Sequence, residues 1–221
     1  RAVGPSVGGV VLATGGPGWS FAGNALSFTA VLITLFSLPT GVARPGADGE
    51  PPLRQFAQGM AYAWSQPGII TGYIAGGVVA FLGGTLVQVH VVLFAEEVFE
   101  VGEFQYGLLV SSFGIGALAV APWLAAIGPR FPKSALLVAG LAFYGVAELV
   151  LVSTTIYAVG VLGVLLAGAA HLTMATTTNT TIQLMVAEAM RGRVIAMYLM
   201  VFTLGMPVGA ILQGPAADAV G

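Results

Sequence analysis

Residues Gly68 to Phe94 read GIITGYIAGGVVAFLGGTLVQVHVVLF, without one Lys, Arg, Asp or Glu. At 1.5 Å per residue a helix of this length rises about 40 Å, enough to cross the roughly 30 Å hydrocarbon core of a bilayer. A membrane strand needs only about ten residues and alternates apolar with polar side chains, whereas this run is continuously apolar. The stretch is therefore predicted to be a membrane-spanning helix. The composition of the 221 residues agrees: 57% are hydrophobic and 7% charged, against about 25% charged in a soluble domain. The 32 Gly and 12 Pro do not signal disorder in this setting, because neighbouring helices re-satisfy backbone groups that Gly and Pro release. The absence of cysteine excludes disulfides, thiolate metal sites and thiol nucleophiles.

Working outward, charges and turn residues mark seven candidate spans: Ala2 to Thr14, Trp19 to Leu38, Gly68 to Phe94, Phe104 to Ile127, Ser134 to Ser153, Tyr157 to Val186 and Val194 to Ala217. Pro39 to Pro52 reads as a polar linker. Leu53 to Gln66 mixes Arg54, Gln55 and Gln58 with Phe56, Met60, Tyr62 and Trp64, a pattern suited to a helix lying at the membrane interface. Glu96 to Glu103 reads as an acidic loop. With seven crossings, Arg1, Arg44, Arg54, Arg130, Lys133, Arg191 and Arg193 all fall on one side, and Glu96, Glu97, Glu100 and Glu103 on the other. The positive-inside rule then makes the basic side cytoplasmic. The chain opens at Arg1 with no leader-like segment and stops directly after an apolar one, so it is read as part of a longer protein.

Within the third span Gly68, Gly72, Gly76, Ala80 and Gly84 recur every fourth residue, a ridge that lets another helix approach closely. Two ionisable groups fall inside spans: His171 near the middle of its helix and Glu148 near the outer end of its own. A charge at the bilayer centre costs about 2.5–3.5 kcal/mol on insertion scales, so His171 is expected to be neutral or to face a wet cavity. Thr176, Asn179 and Gln183 form a polar stripe at i, i+3 and i+7, with Thr178 two turns from His171. These side chains bridge helices or line a water path. Gln88 and His90 are expected to be interface residues only. Arg191 and Arg193 are expected in a short loop after the preceding helix, where cations gain about 0.3–1 kcal/mol from the helix C-terminus.

The chain has no HExxH, GxSxG, P-loop or intramembrane acidic cluster, which makes an intramembrane enzyme the least favoured class and leaves no cofactor or metal to expect. No basic patch points to nucleic acid. A non-transporting scaffold or a channel stays open as a rival, because packing glycines and polar stripes occur there too.

The layout resembles the major facilitator superfamily, with this chain running from about the fifth to the eleventh of twelve helices. Gly4-Pro5-Ser6-Val7-Gly8-Gly9 matches the GPxxGG core of the antiporter motif on the fifth helix of drug and metabolite exporters. Trp19, Phe21 and Asn24-Ala25-Leu26-Ser27-Phe28 look like the start of the sixth helix in the branch that includes the enterobactin exporter. Asn179, Gln183, Arg191-Gly192-Arg193-Val194 and Tyr198 resemble that branch's junction between tenth and eleventh helices, although Ala187-Glu188-Ala189-Met190 stands where a proline-acidic pair is usual. Val3-Gly4, Gly9 and Gly16 echo Val208-Gly209, Gly214 and Gly221 at one constant offset, as expected of parallel six-helix repeats. The resemblance implies an all-α, twelve-helix monomer in the cytoplasmic membrane that exports a small organic molecule against proton entry. It divides the chain into 1–38, the last two helices of one half; 39–66, a linker with an interfacial helix; and 67–221, five helices of the other half. Gly4, Pro5, Gly8 and Gly9 are then the antiporter contact, and Arg191, Gly192 and Arg193 a cytoplasmic gate. His171, Thr178, Asn179, Gln183 and Glu148 are the candidate substrate or proton pathway.

Overall fold

Pro17, Pro52 and Pro67 each open a helix, a position where the missing N–H has no intrahelical partner in any case. The structure, a computed structural model, describes residues 17–37 and 51–220. Its helices are α1 (Pro17–Ser37), α2 (Pro52–Trp64), α3 (Pro67–Thr85), α4 (Glu103–Ile127), α5 (Lys133–Val152), α6 (Tyr157–Met185) and α7 (Glu188–Val220). Beyond Thr85, α3 continues through a wide i→i+5 turn at Leu86–His90, a short α segment at Val91–Leu93 and a second wide turn at Phe94–Val98. No strand occurs among the described residues. The first candidate span, with Gly4, Pro5, Gly8 and Gly9, lies outside them.

Among the described residues five helices are long and apolar enough to cross a membrane: Pro67–Thr85, Glu103–Arg130, Lys133–Val152, Tyr157–Met185 and Glu188–Gly209. The second candidate span appears as α1, whose strongly apolar part, Ala25–Ser37, is shorter and whose described side chains are exposed throughout.

Glycine contacts give the helix directions. A Cβ on Gly68 would meet Met185, one on Gly72 would meet Ile182, and one on Gly83 would meet His171, so α6 descends as α3 ascends. Gly76 faces Tyr198 and Gly84 faces Met206, so α3 and α7 run side by side in the same sense. The expected small-residue ridge on α3 is thus filled by α6 at one end and by α7 along the rest. Lipid tails are as apolar as Leu, so close approach of this kind, rather than burial from water, holds membrane helices together.

Two pairs of glycines bring a helix against a backbone carbonyl of its neighbour. On α4 and α6, a Cβ at Gly116 would lie 1.8 Å from the Leu165 carbonyl oxygen, and one at Gly168 would lie 1.9 Å from that of Phe113. On α3 and α7, a Cβ at Gly205 would lie 2.7 Å from the Gly77 oxygen, and one at Gly209 would lie 2.8 Å from that of Phe81. If α3, α4 and α5 are taken as one triplet and α6 opens the next, the first helix of each triplet crosses the second helix of the other.

The described basic residues gather at one end: Arg54 on α2, Arg130 and Lys133 between α4 and α5, and Arg191 and Arg193 on α7. Glu96, Glu97, Glu100 and Glu103 gather at the other. At the basic end Ala63, Ile69, Tyr73, Ile182, Val186, Val194, Met197 and Tyr198 form a core of their own. Tyr73 donates to the Val194 carbonyl at 2.9 Å, and the Tyr62 hydroxyl accepts the Ala187 N–H at 3.2 Å.

Two expectations are corrected. Arg191 and Arg193 were placed in a loop after a helix C-terminus, but α7 begins at Glu188 and both arginines lie in its opening turns. The macrodipole there favours Glu188, not the arginines, and Arg193 is held instead by the Gln58 side-chain oxygen of α2, to which Nη1 donates. The acidic loop is also shorter than Glu96 to Glu103. The second wide turn keeps Glu96 and Glu97 helical, Glu103 opens α4, and the connection is Phe99 to Gly102 with Glu100 at φ 49°.

Arg193→Ala should loosen α2. Losing a partly buried charged hydrogen bond costs about 1.5–3 kcal/mol, so limited proteolysis after Arg54 is expected to quicken about tenfold or more. An unchanged cleavage rate would show that the packing of Gly59, Met60 and Ala63 and the Tyr62 hydrogen bond suffice to hold the helix.

Candidate functional site

His171 sits where four helices meet. On α6 it is 14 residues past Tyr157, about 21 Å from the acidic end and close to mid-helix. Its ring lies flat enough on α3 that a Cβ on Gly83 would come within 2.2 Å of Cε1. Phe113 of α4 stands 5.3 Å away between ring centroids and Phe202 of α7 stands 6.4 Å away, tilted at 50° and 57°. Thr178 shares its helix face at seven residues' distance. It is 1% exposed, and its Oγ1 has no hydrogen-bond partner among the described residues.

Asn179 and Gln183 face elsewhere. Gln183 Nε2 donates to Asn179 Oδ1 along the helix. Asn179 joins Ala175, Thr176, Thr180, Tyr198, Leu199 and Phe202 in lining a groove of about 300 Å³ between α6 and α7. The polar stripe therefore borders an open groove. The Phe202 ring belongs both to that groove and to the aromatic contact with His171. Tyr198 braces Phe202 from the next turn, with centroids 5.9 Å apart.

Glu148 does not join this group. It lies four residues before the end of α5, and its Oε2 is 3.1 Å from Nδ1 of His90, in the first wide turn of α3. His90, expected only to mark the interface, is thus part of a polar contact within the helix bundle, with Tyr144 and Thr85 in the same pocket. The Gln88 side chain lies outside what the structure describes. At the basic end Arg191 and Gly192 are exposed, while Arg193 is partly buried against α2. No group of three or more His, Asp or Glu able to hold a metal occurs among the described residues.

A family model described as transmembrane secretion effector matches residues 1–221, the entire chain. Among solved structures the chain is similar to a bacterial homolog of the human lysosomal transporter Spinster, in an inward-facing and unoccupied conformation. The TM-score is 0.67 at 19% identity, over 98% of this chain and 50% of that one. The likeness at that identity concerns the fold, and this chain spans about half the length of its structural neighbour. No curated protein matches. The match of the family model to the entire chain carries the conclusion: the chain belongs to the transmembrane secretion effector family of major facilitator membrane transporters.

Proposed function

We propose that the chain is part of a secondary active transporter that exports a small organic molecule by alternating access, driven by proton antiport. The observation that carries this reading is the groove between α6 and α7, polar on Thr176, Asn179 and Thr180 and aromatic on Tyr198 and Phe202, with the His171 ring in contact with Phe202. Sites of this kind near the midplane, at the meeting of several helices, are where transporters bind substrate and coupling ions. The family's description as a secretion effector supports outward movement. The substrate class is a siderophore, drug or metabolite with an aromatic or apolar body and hydrogen-bonding groups.

In this reading residues 1–38 are the last two helices of one six-helix half, 39–66 the cytoplasmic linker and 67–221 the first five helices of the other half. Gly4, Pro5, Gly8 and Gly9 form a leak-preventing helix contact in the first half. Arg191, Gly192 and Arg193 belong to the cytoplasmic gate, with the Arg193 to Gln58 contact coupling that gate to the linker helix. The protein works as a monomer in the cytoplasmic membrane of the cell.

Efflux of a panel of siderophores, drugs and metabolites from proteoliposomes holding the full-length protein, with and without a proton gradient, tests the function. Gradient-dependent efflux of at least one class supports it, and none across the panel sinks it. The orientation has its own test. Single cysteines at Ser134, on the basic end, and Thr155, on the acidic end, should differ in intact cells: an impermeant maleimide labels Thr155→Cys and spares Ser134→Cys. Reversed labelling would turn the bundle over.

A further inference from the structure

The wide turn at Leu86–His90 is a departure from α-helical geometry that needs a cause. An i→i+5 turn adds a residue to the turn and changes the phase of everything after it, and such turns concentrate at functional sites. Here the turn ends on His90, whose Nδ1 is 3.1 Å from Glu148 Oε2 of α5. The contact is only partly exposed, at 28% for the His side chain and 21% for that of Glu. It borders a pocket of about 220 Å³ lined by Leu82, Thr85, Leu141, Tyr144 and Gly145, large enough to admit water. The Tyr144 hydroxyl sits beside the Glu148 carboxylate and donates to the Leu82 carbonyl at 2.8 Å.

We propose that His90 and Glu148 form a proton-binding site whose occupancy sets the helical register of the last third of α3. The idea rests on the transporter reading only for the use made of the proton; the site itself stands on the contact and the wide turn. With His90 an imidazolium, protonated on both ring nitrogens, Nδ1 donates to the carboxylate and ties the turn to α5. A further proton, taken from water onto the carboxylate oxygen, leaves a neutral acid facing an imidazolium. The attraction across the contact is then gone, and a cation in a largely apolar pocket is costly. His90 turns out toward water, the wide turn closes to α geometry, and the segment beyond it rotates by about 100° and shifts by about 1.5 Å, one residue's worth of helix. The contact is about 6 Å below the end of α5, so protons reach it from the acidic end.

The other ionisable groups near the site are few. On α5, Tyr144 faces it. On α3, Glu96 and Glu97 lie beyond it and are exposed. On α4 the ionisable residues are Glu103 and Tyr106, both exposed at its start, and α6 contributes Tyr157 near that end and His171 at mid-helix. On α7, Glu188, Arg191 and Arg193 are at the opposite end, Tyr198 packs against Gly76, and Asp218 is near the helix's last residue.

The test is a distance titration. Spin labels at Val98→Cys and Val152→Cys in the full-length protein, with any cysteine outside these 221 residues replaced by Ser and the protein in lipid nanodiscs, report the far end of α3 against that of α5. Between about pH 8 and about pH 2, a range that brackets imidazole groups and carboxyl groups beside a cation, the interspin distance is expected to shift by several ångströms. Glu148→Gln and His90→Gln should each abolish the shift, and Asp218→Asn should keep it. A wild-type distance constant over this range overturns the proposal whether or not the variants fold, as does a titration that survives Glu148→Gln or is lost in Asp218→Asn. The efflux assay is separate: a protein that titrates but exports nothing leaves this site standing and removes the transport reading, and the converse removes only the site.

Discussion

His171→Gln is expected to lose pH-driven efflux by at least tenfold, about 1.4 kcal/mol in barrier, while still binding substrate. His171→Leu should lose both. The difference follows from the chemistry. Gln keeps a hydrogen-bonding head but cannot titrate, and Leu keeps the bulk without either property. The position makes the effect large, because the ring touches α3 at Gly83 and is flanked by Phe113 and Phe202, so its protonation is felt by four helices at once. Proteoliposome efflux with and without a gradient, together with substrate binding by calorimetry, separates the two variants. Wild-type efflux and pH dependence in both would reduce His171 to a packing residue.

Gly116→Leu and Gly168→Leu should produce the largest losses of stability. In each case the added Cβ would meet a backbone carbonyl below 2 Å. A flexible side-chain tip can swing away, as Met185 can from Gly68, but a carbonyl inside a helix moves only with its helix. Overpacking costs about 1–3 kcal/mol where neighbours can adjust, and a rigid neighbour puts these variants at or above the top of that range. Gly145→Ala is the control, since nothing lies within 4 Å of its Cβ position, and surface changes usually stay within about 0.5 kcal/mol. Thermal unfolding in detergent should show an early transition for the first two and none for the third. Equal behaviour of all three would mean that α4 and α6 can separate at little cost.

The spans were readable because their ends carry signals that local physics enforces. Prolines start α1, α2 and α3, charges mark both ends of α4 and the starts of α5 and α7, and the polar Ser153-Thr154-Thr155 separates α5 from α6. The ridge from Gly68 to Gly84 was readable for the same reason, as a period on one helix. What could not be read depends on other helices. His90 reads from the sequence as an interface residue only, because its partner Glu148 is 58 positions away and because nothing local announces the wide turn that ends on it. His171 and Asn179 are close in sequence, yet eight residues turn the helix by about 80°, and Asn179 lines the groove while His171 packs against Phe113 and Phe202. The start of α7 was set too late because two arginines resembled a loop. Glu188, an acidic residue in a first turn, was the signal to weigh against them.

The crossing of α3 with α7 has a consequence for how the protein is made. Roughly 100 residues separate the completion of α3 from the emergence of its partner surface around Gly205 and Gly209. At about 5–20 residues per second of synthesis, α3 spends on the order of 5–20 s in the bilayer with its glycine face uncovered. During that interval any other small-faced helix is a competing partner, and the earliest such helix from the same chain is α4, whose Gly116 face is itself waiting for α6. Correct assembly therefore depends on the order in which helices arrive as well as on how well they fit. A delay in translating α7 would lengthen the time in which α3 can pair wrongly without altering a single contact of the finished bundle.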